Sequence, residues 1–170
     1  MTMPTIHEAT DDDLPGILDI YNDAVSNTTA IFSEQMVTLE NRAKWRSDRE
    51  WAGYPVLVAR RNGEVLGYAS FGDFRSFPGY RFTVEHSIYV QKQARGQGLG
   101  RLLMGELIDA ARHAGKRMMV AGVDSQNEGS IQFHENFGFV RTALMPAVGF
   151  KFGRWLDLVF LQLDLDPQAK

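Results

Sequence analysis

Apolar side chains recur along this chain at two periods, and the switches between them lay out its elements. Leu14, Ile17, Leu18, Tyr21 and Val25 fall at helical spacing behind Asp11, Asp12 and Asp13, which offer helix caps. A short strand over residues 6–9 precedes them. A second helix is expected over Leu39–Trp51. Between the helices, residues 26–38 read as a polar loop with Ile31 and Phe32 embedded, the pattern of a functional or interface loop. Strands over 56–60 and 65–71 flank Asn62-Gly63, a two-residue hairpin signal. A further strand covers about 82–90. Leu99, Leu102, Leu103, Leu107, Ala110, Ala111 and Ala114 then share one helical face, with Gly115 closing the helix and a strand over 118–123 following. Ser125 with Glu128 reads as a capping box for a helix that ends at Phe137-Gly138, and 139–145 and 155–165 supply the last strands. Strands dominate the first half and a βαβ unit sits in the middle. The expected fold class is therefore α+β, a mixed and mostly antiparallel sheet flanked by helices.

Composition narrows the class without changing the layout. A chain of 170 residues fits one domain, placed at 1–166, with 167–170 as a short loose tail. Its hydrophobic content of 44% and charged content of 23% are those of a soluble globular protein. A net charge of −3 argues against a nucleic-acid partner. No apolar run approaches membrane-spanning length and the N-terminus is polar, so a cytoplasmic location without a membrane partner is expected. The absence of cysteine removes disulfides, thiolate metal sites and a cysteinyl acyl-enzyme. The four histidines are scattered without an H-E-x-x-H motif, and no metal site is expected.

The chemistry concentrates at Arg95-Gly96-Gln97-Gly98-Leu99-Gly100-Arg101, between a strand and a strongly periodic helix. Alternate glycines let the backbone turn tightly with its N–H groups unobstructed. Free amides at a helix N-terminus, with arginines on both sides, form a receptor for a pyrophosphate. The turn lacks the Gly-Lys-Ser/Thr end of a P-loop, and its G-x-G-x-G spacing departs from the dinucleotide G-x-G-x-x-G, although Asp124 lies near that fingerprint's acid position. A dinucleotide site and a glycine turn that serves packing alone are the alternatives.

Arg95-x-x-Gly98-x-Gly100, the entering strand Ile88-Tyr89-Val90 and the stretch Asn127-Glu128-Gly129-Ser130-Ile131-Gln132-Phe133-His134-Glu135-Asn136-Phe137-Gly138-Phe139 resemble the GCN5-related N-acetyltransferases (GNAT). Five further stretches are similar to one branch of that family, which acetylates phosphinothricin, methionine sulfoximine and methionine sulfone. They are Phe71-Gly72-Asp73-Phe74-Arg75, Gly79-Tyr80-Arg81, Thr83 to Val90, Gly149-Phe150-Lys151 and Gly153-Arg154-Trp155-Leu156-Asp157. The resemblance implies a sheet of about seven strands with about four helices. It also implies acetyl-CoA as co-substrate, direct attack by the substrate's α-amine, and a homodimer. The apolar region 145–155 fits the homodimer.

Acetyl transfer to an amine needs a neutral amine, a polarised thioester carbonyl and an outlet for the thiolate. Glu85, a carboxylate just ahead of the cofactor loop, is the candidate base, with a purely structural or amine-pairing role as the alternative. His134 is the candidate acid, at a position where much of the family carries tyrosine; a satisfied buried histidine competes. For the cofactor, Gln97, Gly98, Gly100 and Arg101 are expected around the pyrophosphate with Arg95, Gly96 and Leu99. The backbone of Ile88, Tyr89 and Val90 would pair with pantetheine, a Val90 N–H would polarise the thioester oxygen, and Asn127 would donate to a pantetheine amide or merely start its helix. For the substrate, Arg75 offers a planar fork to a carboxylate. Phe74, Phe77, Tyr80 and Phe32 would wall the pocket, and Glu85 and His86 are further candidates for it; strand alternation turns His86 to the other face from Glu85, so it reads first as structural.

Overall fold

The computed structural model describes residues 3–166 and 168, so the expected tail lies largely outside the described residues. Seven strands and four α-helices follow in the order β1 (Thr5–Glu8), α1 (Leu14–Asn27), α2 (Leu39–Trp51), β2 (Val56–Arg61), β3 (Glu64–Asp73), β4 (Thr83–Val90), α3 (Leu99–His113), β5 (Met118–Asp124), α4 (Glu128–Glu135), β6 (Val140–Lys151) and β7 (Arg154–Asp164). They form one sheet in the order β1-β2-β3-β4-β5-β7-β6. Every neighbouring pair is antiparallel except β4–β5, the two strands that α3 connects. The α+β expectation holds.

The two helix layers follow from the two apolar periods. Ile17 and Ile20 of α1 pack with Val56, Val58, Val65 and Tyr68 on one face of the sheet, joined by Trp45 of α2. Leu99, Leu103, Met104, Leu107, Ile108 and Ala111 of α3, with Ile131 of α4, fill the other face. Leu102, expected on that buried stripe, is largely exposed, because the stripe centres on Leu103 and Leu107. The Asn62-Gly63 turn has both residues at positive φ (53° and 82°), the two left-handed positions of a hairpin of this type.

One feature of the sheet makes the site. The parallel β4–β5 ladder pairs only Thr83–Glu85 with Met118–Val120. Beyond Glu85 the two strands carry on without pairing and leave a gap at mid-sheet. In the antiparallel β3–β4 ladder, hydrogen-bonded pairs alternate. The Gln91 N–H donates to Leu66 O at 2.8 Å, which sets that alternation. Tyr89, Ser87 and Glu85 therefore turn their backbone groups toward β3, while Ile88 and Val90 turn theirs toward the gap.

Candidate active site

The glycine turn delivers the backbone its sequence promised. Gly96 and Gly98 stand at φ 76° and 81°, in the left-handed region, and Gly98 is the N-cap of α3 with no side chain to cap it. The first intrahelical bond runs from Leu102 N–H to Gly98 O at 3.1 Å. The amides of Leu99, Gly100 and Arg101 thus have no acceptor within the helix. The first turn holds no acidic residue and instead carries Arg101, a charge that opposes the helix dipole unless an anion sits there. A cleft of about 430 Å³ opens at this turn, lined by Arg95, Gly96, Gly98, Gly100 and Arg101 at one end and by Ile88, Val90, Ser130, Phe133 and His134 at the other. A side-chain carbon on Gly100 would stand 3.4 Å from the Phe133 ring, so this glycine keeps the cleft wall clear. The Gln97 side chain is occupied within the loop, accepting from Arg61 at 3.0 Å and donating to Gln93 O at 3.2 Å; only its backbone faces outward service.

A second hollow of about 80 Å³ lies where β4 and β5 part, lined by Ser87, Ile88, Gly122, Asp124, Asn127, Ser130 and His134 among others. The two hollows share Ile88, Ser130 and His134. They adjoin at these three residues, beside the parting of β4 and β5. Ile88 and Val90 line the cleft at the glycine turn, Ile88 also lines the second hollow, and Val90 O accepts from Arg95 Nε at 3.1 Å. Tyr89 is corrected: its backbone bonds to β3, and its phenol packs against Tyr68 and Tyr21 at 5.3 and 6.4 Å between ring centres. Asn127 caps α4, accepting from Ser130 N–H at 3.1 Å through Oδ1. Ser125 does not cap that helix; its N–H is drawn to Asp157 O of β7.

Glu85 sits on the face under α1 and α2, half-buried. Its neighbours across β3 and along β5 are glycines. Gly72 is its register partner, and Glu85 Oε1 lies 3.3 Å from where a side-chain carbon on Gly122 would stand. Burial raises the carboxyl above its ordinary pKa, and the Arg75 cation opposes that rise. Arg75 is exposed and lies over the Phe74 ring at 4.6 Å. Phe74 packs edge-on against Phe160 and Tyr80 at 6.1 and 5.9 Å. Phe77, expected in the same wall, projects into solvent at 73% exposure, because the 73–82 loop turns it away from the sheet.

The loop after α1 forms the roof. Phe32 presses on Gly149, where a side-chain carbon would overlap its ring. Thr29 Oγ1 donates to Asp124 Oδ2 at 2.5 Å. The fully buried Lys151 donates to Thr28 O at 2.6 Å and Ile31 O at 2.8 Å, and burial pushes its pKa below the usual lysine value. Lys151, Gly72 and Gly122 were not legible as site residues, since each acquires its meaning from a segment distant in sequence.

His86 and His134 are the second correction. Their Nε2 atoms lie 2.9 Å apart, and His134 Nδ1 lies 2.6 Å from Ser130 O. A carbonyl only accepts, so His134 Nδ1 carries the proton and its Nε2 accepts from His86. Burial lowers both pKa values, that of His86 to about 3 with help from His134, so both rings are neutral at pH 7. The one proton of the neutral His134 ring, on Nδ1, is held by Ser130 O, and Nε2 faces His86. His86 points to the opposite face from Glu85, stacked on His134 and edge-on to Phe139, and lines the second hollow.

Comparison with known proteins agrees with this geometry. The sequence model of the Acetyltransferase (GNAT) family matches residues 17–139. The L-methionine sulfoximine/L-methionine sulfone acetyltransferase of Salmonella typhimurium is 55% identical over 165 residues, covering 97% of this chain and 96% of that protein. The phosphinothricin N-acetyltransferase of Alcaligenes faecalis is 42% identical over 164 residues, covering 95% and 83%. An acetyltransferase from Salmonella typhimurium solved with its cofactor acetyl-CoA superposes with a TM-score of 0.95 at 54% identity, covering 99% and 98% of the two chains. This chain is a member of the GNAT family of N-acetyltransferases.

Proposed function

We propose that this N-acetyltransferase carries the acetyl group of acetyl-CoA to the α-amine of a small amino acid with a tetrahedral polar head: methionine sulfone, methionine sulfoximine or phosphinothricin. The observation that carries the reading is the half-buried Glu85 on β4, set between Gly72 and Gly122 within the electrostatic reach of Arg75, on the strand whose following residues Ser87 and Ile88 line the hollow beside the glycine-turn cleft. One acid and one cation at the same edge of the site suit a zwitterion. The names of the relatives at 55% and 42% identity support the same substrates.

Each residue has a definite task in this reading. The amides of Leu99, Gly100 and Arg101, with Arg95 and Arg101, would hold the diphosphate. The backbone edge of Ile88 and Val90 would take the pantetheine arm as an added strand, and Asn127 Nδ2 is directed to the same arm. Acetyl-CoA supplies an activated thioester. Ile88 lines both hollows, so its N–H, rather than that of Val90, is the better placed donor for the charge that develops on the thioester oxygen. Arg75 orients the α-carboxylate. Glu85 takes a proton from the ammonium, directly or through a water, and frees its lone pair for attack. A thiolate of pKa about 8.5 leaves without a side-chain acid and takes up, directly or through water, the second proton that the attacking nitrogen sheds as the amide forms; the His134 proton stays engaged with Ser130 O. The enzyme works in the cytoplasm as a homodimer in this reading. Free thiol release from acetyl-CoA, followed over a panel of amino acids, tests it. Turnover on methionine sulfone and sulfoximine well above that on unmodified amino acids supports the assignment; binding of acetyl-CoA without turnover on any amine would replace it with a sensor.

A further inference from the structure

Gly72 has an unusual neighbour. A side-chain carbon there would collide with Nη1 of Arg49 and stand 2.6 Å from its Cζ and 2.7 Å from its Nη2. The guanidinium of this α2 residue lies flat on the strand, on ground that only glycine leaves open. Directly opposed residues of an antiparallel pair point to the same side of the sheet. Gly72 is the register partner of Glu85, so Arg49 reaches the face of the sheet that carries the base. Its Nε is buried without a hydrogen-bond partner among the described residues, and the guanidinium lies 6.0 Å from the Trp45 ring centre. The opposite charges acting on it are Asp73 and, more weakly, Asp48; Asp73 already accepts from the Tyr54 hydroxyl, and Asp48 pairs with Lys44.

We propose that Arg49 is a second substrate-reading cation of the site, donating hydrogen bonds to the oxygens of the tetrahedral head while Arg75 holds the α-carboxylate. The inference rests on the substrate reading above and adds the residue that selects the head. Position divides the work. The α-carboxylate is one carbon from the amine that Glu85 serves, so it belongs to the cation that acts on Glu85, which is Arg75. The Glu85 carboxylate turns toward Gly122 on β5, whereas Arg49 lies over Gly72 on β3. Gly72 is one strand spacing of about 4.8 Å from Glu85, whereas Gly122 lies past the last β4–β5 pair, on the far side of β4. An amino acid with its amine at Glu85 would extend its short carbon chain across β4 toward Arg49. A guanidinium fork suits the paired oxygens of a sulfone or phosphinate.

The test compares methionine sulfone with methionine, which keeps the amine and the carboxylate but lacks the head oxygens. In Arg49→Met, kcat/KM for the sulfone is expected to fall about ten- to a hundredfold, the scale of one charge-assisted hydrogen bond, with the value for methionine nearly unchanged. The preference for the sulfone collapses while the KM for acetyl-CoA holds. Gly72→Ala pushes the guanidinium off its seat without removing it. It should show the same selective loss, and it decides the matter if Arg49→Met does not fold. An equal loss on both substrates, or an undiminished sulfone preference in the folded variants, overturns the proposal. Failure of the wild-type enzyme to acetylate either amino acid is a separate outcome, which overturns the substrate reading and this inference with it.

Discussion

Desolvation and a neighbouring cation pull the Glu85 carboxyl in opposite directions, and desolvation prevails, so its pKa lies above the ordinary 4.5. A base must be ionised to work. Activity is thus expected to fall as pH drops through this raised value, and kcat/KM against pH should show a single acid limb. Removing the Arg75 cation removes the opposing influence, so the limb in Arg75→Ala should move to higher pH, along with a higher KM for the amino acid. Glu85→Gln should lower kcat by about a hundredfold or more, the usual contribution of a general base, with acetyl-CoA affinity retained. The same variant should melt no lower than wild type at neutral pH. The sign follows from linkage: a folded pKa raised above the unfolded one means the fold favours the protonated carboxyl, and that stability is lost as pH rises through the folded pKa. Glutamine imitates the protonated form. An unchanged kcat, or an acid limb that stays in place without Arg75, would remove the pair from these roles.

At the scale of elements, the N-terminus of α3 joins two requirements, a left-handed N-cap and three amides without acceptors. Gly98 meets the first at φ 81°, and a methyl group there would find nothing within 4 Å. Gly98→Ala therefore brings no clash and imposes only the left-handed penalty of about 1–2 kcal/mol. The loop is expected to relax away from the geometry that presents the amides, and calorimetric titration with acetyl-CoA should show affinity reduced about tenfold while the KM for the amino acid changes little. The same element explains what could be read in advance. Glycine spacing is local, so the loop was visible in the sequence, as were the apolar period of α3, the Asn62-Gly63 hairpin and a carboxylate set in a strand at Glu85. The roles of Arg49, Lys151 and the histidine pair depend on contacts between segments far apart along the chain. Arg49 meets Gly72 only when α2 lies on β3, and within its helix it has the look of an ordinary solvated arginine. His86 and His134 are 48 positions apart, and only their contact at 2.9 Å assigns the proton that the acid role would have needed. The start of α4 was misplaced for the same reason, since a bond to β7 draws Ser125 away from the helix.

For the whole molecule, the open question is what covers β6. It is an edge strand of the sheet, and Val140, Leu144, Met145, Val148 and Phe150 on it are exposed, as is Trp155 on β7 against the Phe150 ring. An unpaired edge carrying this much apolar surface invites association, and a second copy of the same strand offers a matching surface about a twofold axis. Wild-type protein is therefore expected to run in light scattering at twice its chain mass of 19.1 kDa. Phe150→Asp, which sets a charge in the middle of the patch, should run as a monomer at micromolar concentration. The consequence reaches the site through the hairpin. Gly149 and Lys151 flank Phe150 and hold the 28–32 loop, the first beneath Phe32 and the second through the carbonyls of Thr28 and Ile31; in the proposed reading that loop roofs the substrate site. Covering Phe150 would steady that hairpin and with it the roof, whereas the glycine turn lies elsewhere on the molecule. The monomeric variant should accordingly show a raised KM for the amino acid and an unchanged affinity for acetyl-CoA. A monomer with wild-type KM for both would separate the apolar edge from catalysis, and a wild-type protein that is already monomeric would leave β6 to a different partner.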